Sequence, residues 1–164
     1  MKIWNWLVIA GFAIILTACG GQPEEEEDPN VPTGGDTSMS NEWSFQANAQ
    51  QTDDQINVEM HVRNESDEDQ VLVFPTSQEY EIILENSNGE EVFRYSDDHM
   101  FLQSFVEMTF KPGEEKDFRE TIPVDLFPAG VYTMTVELTV YEEIIENLDD
   151  PNTFTVTQEI EIRE

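Results

Sequence analysis

Few residues in this chain can do covalent or coordination chemistry. One cysteine, Cys19, and two histidines, His61 and His99, stand against 36 aspartates and glutamates. A lone cysteine closes no intrachain disulfide, and a structural zinc site draws most of its ligands from cysteine and histidine. With so many carboxylates, adjacent pairs arise by chance and say little about acid–base catalysis. The most mixed stretch is Asp97-Asp98-His99, between Tyr95 and the apolar Met100-Phe101-Leu102. It lacks the D-x-D-x-D-G spacing of a calcium loop. His61 falls on the polar side of an alternating run and is expected to face solvent. No Walker loop, GxGxxG, GxSxG or HExxH pattern is present. These residues predict no enzyme, no metal and no cofactor.

Cys19 has a different context. The chain opens with Lys2, runs through mostly apolar residues from Ile3, and closes that run on Leu16-Thr17-Ala18-Cys19. A positive start, an apolar middle and a small-residue site form a secretory signal. The run is interrupted by Asn5 and Gly11 and falls short of the ~20 apolar residues that span a bilayer. An aliphatic residue, two small residues and cysteine resemble the lipobox of bacterial lipoproteins. That resemblance implies a signal peptide over residues 1–18, a diacylglycerol thioether on Cys19, and attachment at the extracytoplasmic face of the cell membrane. Each buried methylene of an acyl chain contributes ~0.8 kcal/mol to partitioning, so two or three chains hold firmly.

Residues 19–41 read as a tether. They carry Gly20-Gly21, the run Glu24-Glu25-Glu26-Glu27-Asp28, three prolines and Gly34-Gly35. Such a segment buries too little apolar surface to offset the entropy of ordering and is expected to be disordered. The formal net charge of −29 excludes phosphate-backbone binding, so nucleic acid is not an expected partner.

Residues 42–164 alternate apolar and polar side chains almost throughout, as strands with one buried face do. Trp43, Phe45, Ala47 and Ala49 begin the pattern. Ile56, Val58, Met60 and Val62 continue it, and Val71 to Phe74 stop at Pro75. Tyr80, Ile82 and Leu84 lead through Asn86-Ser87-Asn88-Gly89, a hairpin signal, to Val92-Phe93. Val106, Met108 and Phe110 run into Lys111-Pro112-Gly113-Glu114, which reads as a type II turn. Tyr132 to Val140 and Phe154 to Ile162 complete the set, and Tyr141 to Asp150 reads as a loop with one helical turn at most. About eight strands joined by turn chemistry predict an all-β, antiparallel, immunoglobulin-like β-sandwich.

The order of short motifs is itself informative. Val62-Arg63-Asn64-Glu65-Ser66, Phe74-Pro75-Thr76-Ser77-Gln78-Glu79-Tyr80, Gly89 to Asp97, Lys111-Pro112-Gly113-Glu114 and Gly130-Val131-Tyr132 together resemble the BsuPI family of intracellular proteinase inhibitors. The resemblance spans roughly Ile56 to Val140. It implies a sandwich that inhibits a subtilisin-type serine protease, with the lipobox placing the domain outside the membrane. Glu81 stands where the family tends to carry aspartate, and Phe93 and Tyr95 where it tends to carry tryptophan.

An inhibitor of this kind offers an exposed, rigid loop from a scaffold. Ser96, Asp97, Asp98, His99 and Met100 form the first candidate. Pro75, Thr76, Ser77, Gln78 and Glu79 form the second. The alternative reading is a non-inhibitory structural or assembly lipoprotein of the envelope. Anchoring has a direct check: Cys19→Ala abolishes acyl labelling and membrane sedimentation, whereas a variant that still sediments with membranes refutes the lipid assignment.

Overall fold

Period-two alternation becomes ten antiparallel strands in a computed structural model that describes residues 36–39 and 42–163. The expected signal segment, Cys19 and most of the tether lie outside the described residues. The strands are β1 (Asp36–Met39), β2 (Trp43–Thr52), β3 (Gln55–Asn64), β4 (Gln70–Phe74), β5 (Tyr80–Glu85), β6 (Glu91–Arg94), β7 (Val106–Phe110), β8 (Glu115–Pro123), β9 (Gly130–Leu138) and β10 (Thr155–Ile162). One sheet runs β1-β2-β3-β8 and the other β10-β9-β5-β6, with β4 and β7 forming a separate two-stranded ladder. This is the expected sandwich with two more strands than the sequence predicts.

Each extra strand has a physical reason. β1 lies in the segment expected to be tether, yet Asp36 to Met39 pair in register with Ala47 to Ser44 of β2. Its residues, Asp-Thr-Ser-Met, hold no apolar alternation in sequence, so no period marks the strand. β8 hides because its inward positions include Lys116 and Glu120 beside Phe118 and Ile122. Alternation of burial survives there, but alternation of polarity does not.

The core sits between the sheets. Ile56, Val58, Met60 and Val62 of β3 are fully buried, as are Ile82 and Leu84 of β5 and Met134 and Val136 of β9. Trp43 meets Phe110 edge-on at 5.1 Å and Phe154 at 5.7 Å, closing one end. Polar residues enter at two notable points. Gln158 stands in line with Val156 and Ile160, and its Nε2 is buried without a hydrogen-bond partner among the described residues. Asn64, fully buried, is satisfied throughout: its Nδ2 donates to Glu68 O (2.7 Å) and Phe110 O (3.2 Å), and its Oδ1 accepts from Ser66 N (2.9 Å).

Turn chemistry is as expected. Gly113 has φ +70° and Glu114 N–H bonds Lys111 O at 2.9 Å, closing the Pro-Gly turn. Gly89 has φ +76°, and Asn86 Oδ1 takes the N–H groups of Asn88 (2.9 Å) and Glu90 (3.1 Å). Tyr132 Oη donates to Pro128 O at 2.7 Å, the upstream bond of a tyrosine corner. The ambiguous stretch after Val140 holds a single helical turn, α1 (Glu142–Ile145).

Candidate functional site

Both candidate loops leave the same part of the β10-β9-β5-β6 sheet. Pro75 to Glu79 lead into β5, while β6 runs straight into a 3-10 turn at Tyr95–Asp98. Glu81 lies between them in the chain of contacts. It points to the outer face of β5, opposite Tyr80 and Ile82, and is nevertheless 5% exposed.

The carboxylate of Glu81 is buried because both loops donate to it. Oε1 accepts Ser96 N–H at 3.0 Å, and Oε2 accepts Gln78 Nε2–H at 3.1 Å. Ile82 N–H adds a third donor at 3.2 Å, and Arg94 Nη1 stands 3.7 Å away. A buried carboxylate is costly unless its lone pairs are filled and a countercharge is near. Here both conditions are met, so one side chain ties the start of the first loop to the second.

A second tie runs through the backbone. Ser77 N–H donates to Leu102 O at 3.0 Å, and Leu102 N–H returns to Ser77 Oγ at 2.9 Å. Pro75 to Glu79 are themselves held just past the end of β9, where Thr139 Oγ1 donates to Gln78 O (2.6 Å) and Thr139 N–H to Glu79 O (3.1 Å).

Between these ties the first loop projects. His99 is extended (φ −121°, ψ 149°), and its Nδ1–H donates to Tyr95 O at 2.6 Å. Its ring stacks on Tyr95 at 4.0 Å, and Phe101 lies near both rings. Ser96 is half-buried, Asp97 and Asp98 are exposed, and Met100 is fully exposed. Leu102 (73%) and Phe105 (65%) are also exposed. The first candidate loop ends on the most exposed of these side chains, Met100, and exposed apolar residues continue beyond it at Leu102 and Phe105. Met100, Leu102 and Phe105 thus place three large apolar side chains in water along one short segment.

The underlying aromatic cluster is polar at its tips. Tyr80 Oη donates to Glu120 Oε2 at 2.9 Å and lies 3.4 Å from Tyr95 Oη. Burial, followed by these hydrogen bonds, holds the Tyr80 hydroxyl well above the ordinary phenol range.

His61 sits apart on the outer face of the other sheet. Its Nδ1 is 2.8 Å from Asp117 Oδ1 and 4.0 Å from Glu115 Oε1. Three such donors within 4.8 Å of one another can approach a cation. Glu115 and Asp117 are exposed and His61 partly so, and the arrangement is that of a cross-strand hydrogen-bonded pair.

Comparison with known proteins now has a structure to attach to. The BsuPI sequence model, described as intracellular proteinase inhibitor, matches residues 43–143. The chain belongs to the BsuPI family. Both loops and Glu81 fall inside the matched span, and the family is one of proteinase inhibitors, not of catalysts. No curated protein matches the chain.

Solved structures resemble this BsuPI chain only remotely. A β-glucosidase from Kluyveromyces marxianus with glucose aligns at 16% identity and TM-score 0.42, over 73% of this chain and 14% of that one. A mutant β-glucosidase from Listeria innocua with laminaribiose gives 17% and 0.43, over 88% and 20%. The CARDB domain of a Pyrococcus furiosus protein, in complex with di-metal ions, gives 14% and 0.41, over 80% and 90%. The chain thus corresponds to a small part of each glucosidase, and TM-scores below 0.5 carry nothing about function.

Charge beneath the loops has a pH signature. Glu137 of β9 pairs directly across from Glu81. Burial first, and the Glu81 charge second, hold its carboxyl above the usual range, with Arg94 opposing. A raised folded-state pKa favours the folded chain fully below the ordinary carboxylate pKa, and that contribution is lost as pH rises through the raised value. Glu137→Gln removes the penalty at high pH. Thermal melts are expected to show the variant about 1–2 °C above the parent at pH 8, as a few tenths of a kcal/mol gives, and level with it at pH 4. A variant equal to or below the parent at pH 8 contradicts this.

Proposed function

We propose that this BsuPI-family chain is a lipid-anchored, extracytoplasmic inhibitor of subtilisin-type serine proteases, and that His99–Leu102 enters the protease cleft. The carrying observation is the loop's combination of exposure and restraint. Met100 and Leu102 project while Phe101 turns back toward Tyr95 and His99. The backbone is pinned at Ser96 by Glu81 and at Leu102 by Ser77.

Proteases bind segments in extended form, with pockets for outward side chains. His99 is already extended and the segment is restrained at Ser96 and Leu102, so little further entropy is lost on binding. Export rests on the sequence: the lipobox ending at Cys19 supports a target outside the membrane, where the family description says intracellular.

Stoichiometric titration tests the reading. Residues 32–164, which retain β1, are mixed with a subtilisin and a chromogenic peptide substrate. Activity is expected to fall to near zero at one equivalent, with the loop uncleaved. Met100→Asp places a charge in an apolar pocket and weakens inhibition at least tenfold, about 1.4 kcal/mol or more. Digestion of the domain, or full protease activity at micromolar concentrations, overturns inhibition.

A further inference from the structure

The two sheets do not close on each other at one flank. β6 and β8 are edge strands of their respective sheets, and a cleft of about 240 Å³ opens between them. Phe93, Tyr95, Asp98 and His99 line one side, and Glu120 and Leu126 line the other. That volume lies below the ~300–1,000 Å³ of pockets that take whole small-molecule ligands. A single side chain is the right size of occupant.

Charge decides which side chain. Glu120 belongs to the inward-facing row of β8, paired with the buried Val58. Its carboxylate accepts only neutral donors, Tyr80 Oη and Thr121 N–H, both at 2.9 Å. Among the described residues, neither Glu120 nor Asp98 takes part in a salt bridge, whereas Glu59, Glu65, Glu81, Glu91, Glu114 and Glu161 all do. An anion entering here meets two carboxylates. An apolar group strips water from Glu120 and returns no charge. A cation meets both carboxylates.

We propose that this seam is a socket for a basic side chain, arginine or lysine, presented by a protein partner. The stem of the side chain lies against Phe93 and Leu126, and its N–H groups reach Glu120 and Asp98 in charge-assisted hydrogen bonds. Arginine fits best, because its planar head donates in a fork to carboxylates. The socket shares His99 with the projecting loop, so a partner that covers Met100 stands within reach of it. Where the partner is the protease proposed above, the inference rests on that reading and names what the protease must carry beside its cleft.

The test contains no protease, so it stands or falls separately from the inhibition assay. The 15N-labelled full chain is titrated with N-acetyl-arginine amide, and in parallel with the neutral isostere N-acetyl-citrulline amide, while amide shifts are followed. Saturable shifts are expected at Tyr95, His99 and Thr121 with the arginine probe and not with citrulline. Affinity falls at least fivefold in Glu120→Gln and in Asp98→Asn. Asp98 is exposed, so its variant folds even where the Glu120 change disturbs the Tyr80 network. His61→Ala, on the far sheet, leaves the affinity unchanged. Equal shifts with citrulline, shifts scattered over the acidic surface, or unaltered affinity in Asp98→Asn and Glu120→Gln overturns the socket.

Discussion

One buried carboxylate organises the working end of this molecule. Glu81 points away from the sandwich core and still loses its water, because a 3-10 turn and a neighbouring loop both close over it. Hydrogen bonds to a charged acceptor contribute ~1.5–3 kcal/mol each, against ~1 for neutral pairs. The Ser96 and Gln78 bonds therefore outweigh the other polar contacts of these loops taken singly. Arg94 supplies the countercharge and is itself oriented by Glu91 through two bonds, at 3.0 and 2.6 Å. Without the Glu81 carboxylate, the Ser96 N–H loses its acceptor and the turn at Tyr95–Asp98 keeps only local bonds such as His99 N–H to Ser96 O and His99 Nδ1–H to Tyr95 O.

What Glu81 positions, the sandwich makes rigid. β5 sits between β9 and β6, and its inward residues Ile82 and Leu84 are fully buried. The strand that carries the clamp is thus among the best-packed elements present. Stacked rings carry the restraint outward: Tyr80 packs on Phe118 and Tyr95, and Tyr95 on His99. A projecting segment built on such a stack presents Met100 and Leu102 without a search through conformations, and preorganisation of that kind is the common requirement of inhibitory loops.

Most of this frame could be read from alternation alone. β2, β3 and β9 showed unbroken apolar spacing, and Gly89 and Gly113 marked turns whose positive φ only glycine adopts easily. Three features escaped for definite reasons. β1, Asp-Thr-Ser-Met, has no apolar alternation in its sequence. β8 mixes Lys116 and Glu120 into its inward row, so its pattern in polarity dissolves. Glu81 alternates correctly as an outward residue, and its burial comes from loops distant in sequence, which no local period encodes. The same limit applies to the candidate loops: composition marked Ser96–Met100 and Pro75–Glu79 as exposed connections, but only tertiary contact shows Ser77 paired to Leu102.

The clamp is tested most directly by residue-resolved amide exchange in Glu81→Ala and Glu81→Gln. In the alanine variant, exchange at Ser96 and across the two loops is expected to accelerate at least tenfold, while the amides of β2, β3 and β9 keep their parent protection. Glutamine retains one acceptor oxygen and restores part of the loss. Loops that exchange at the parent rate in the alanine variant, or a sandwich that loses protection uniformly, would contradict the account.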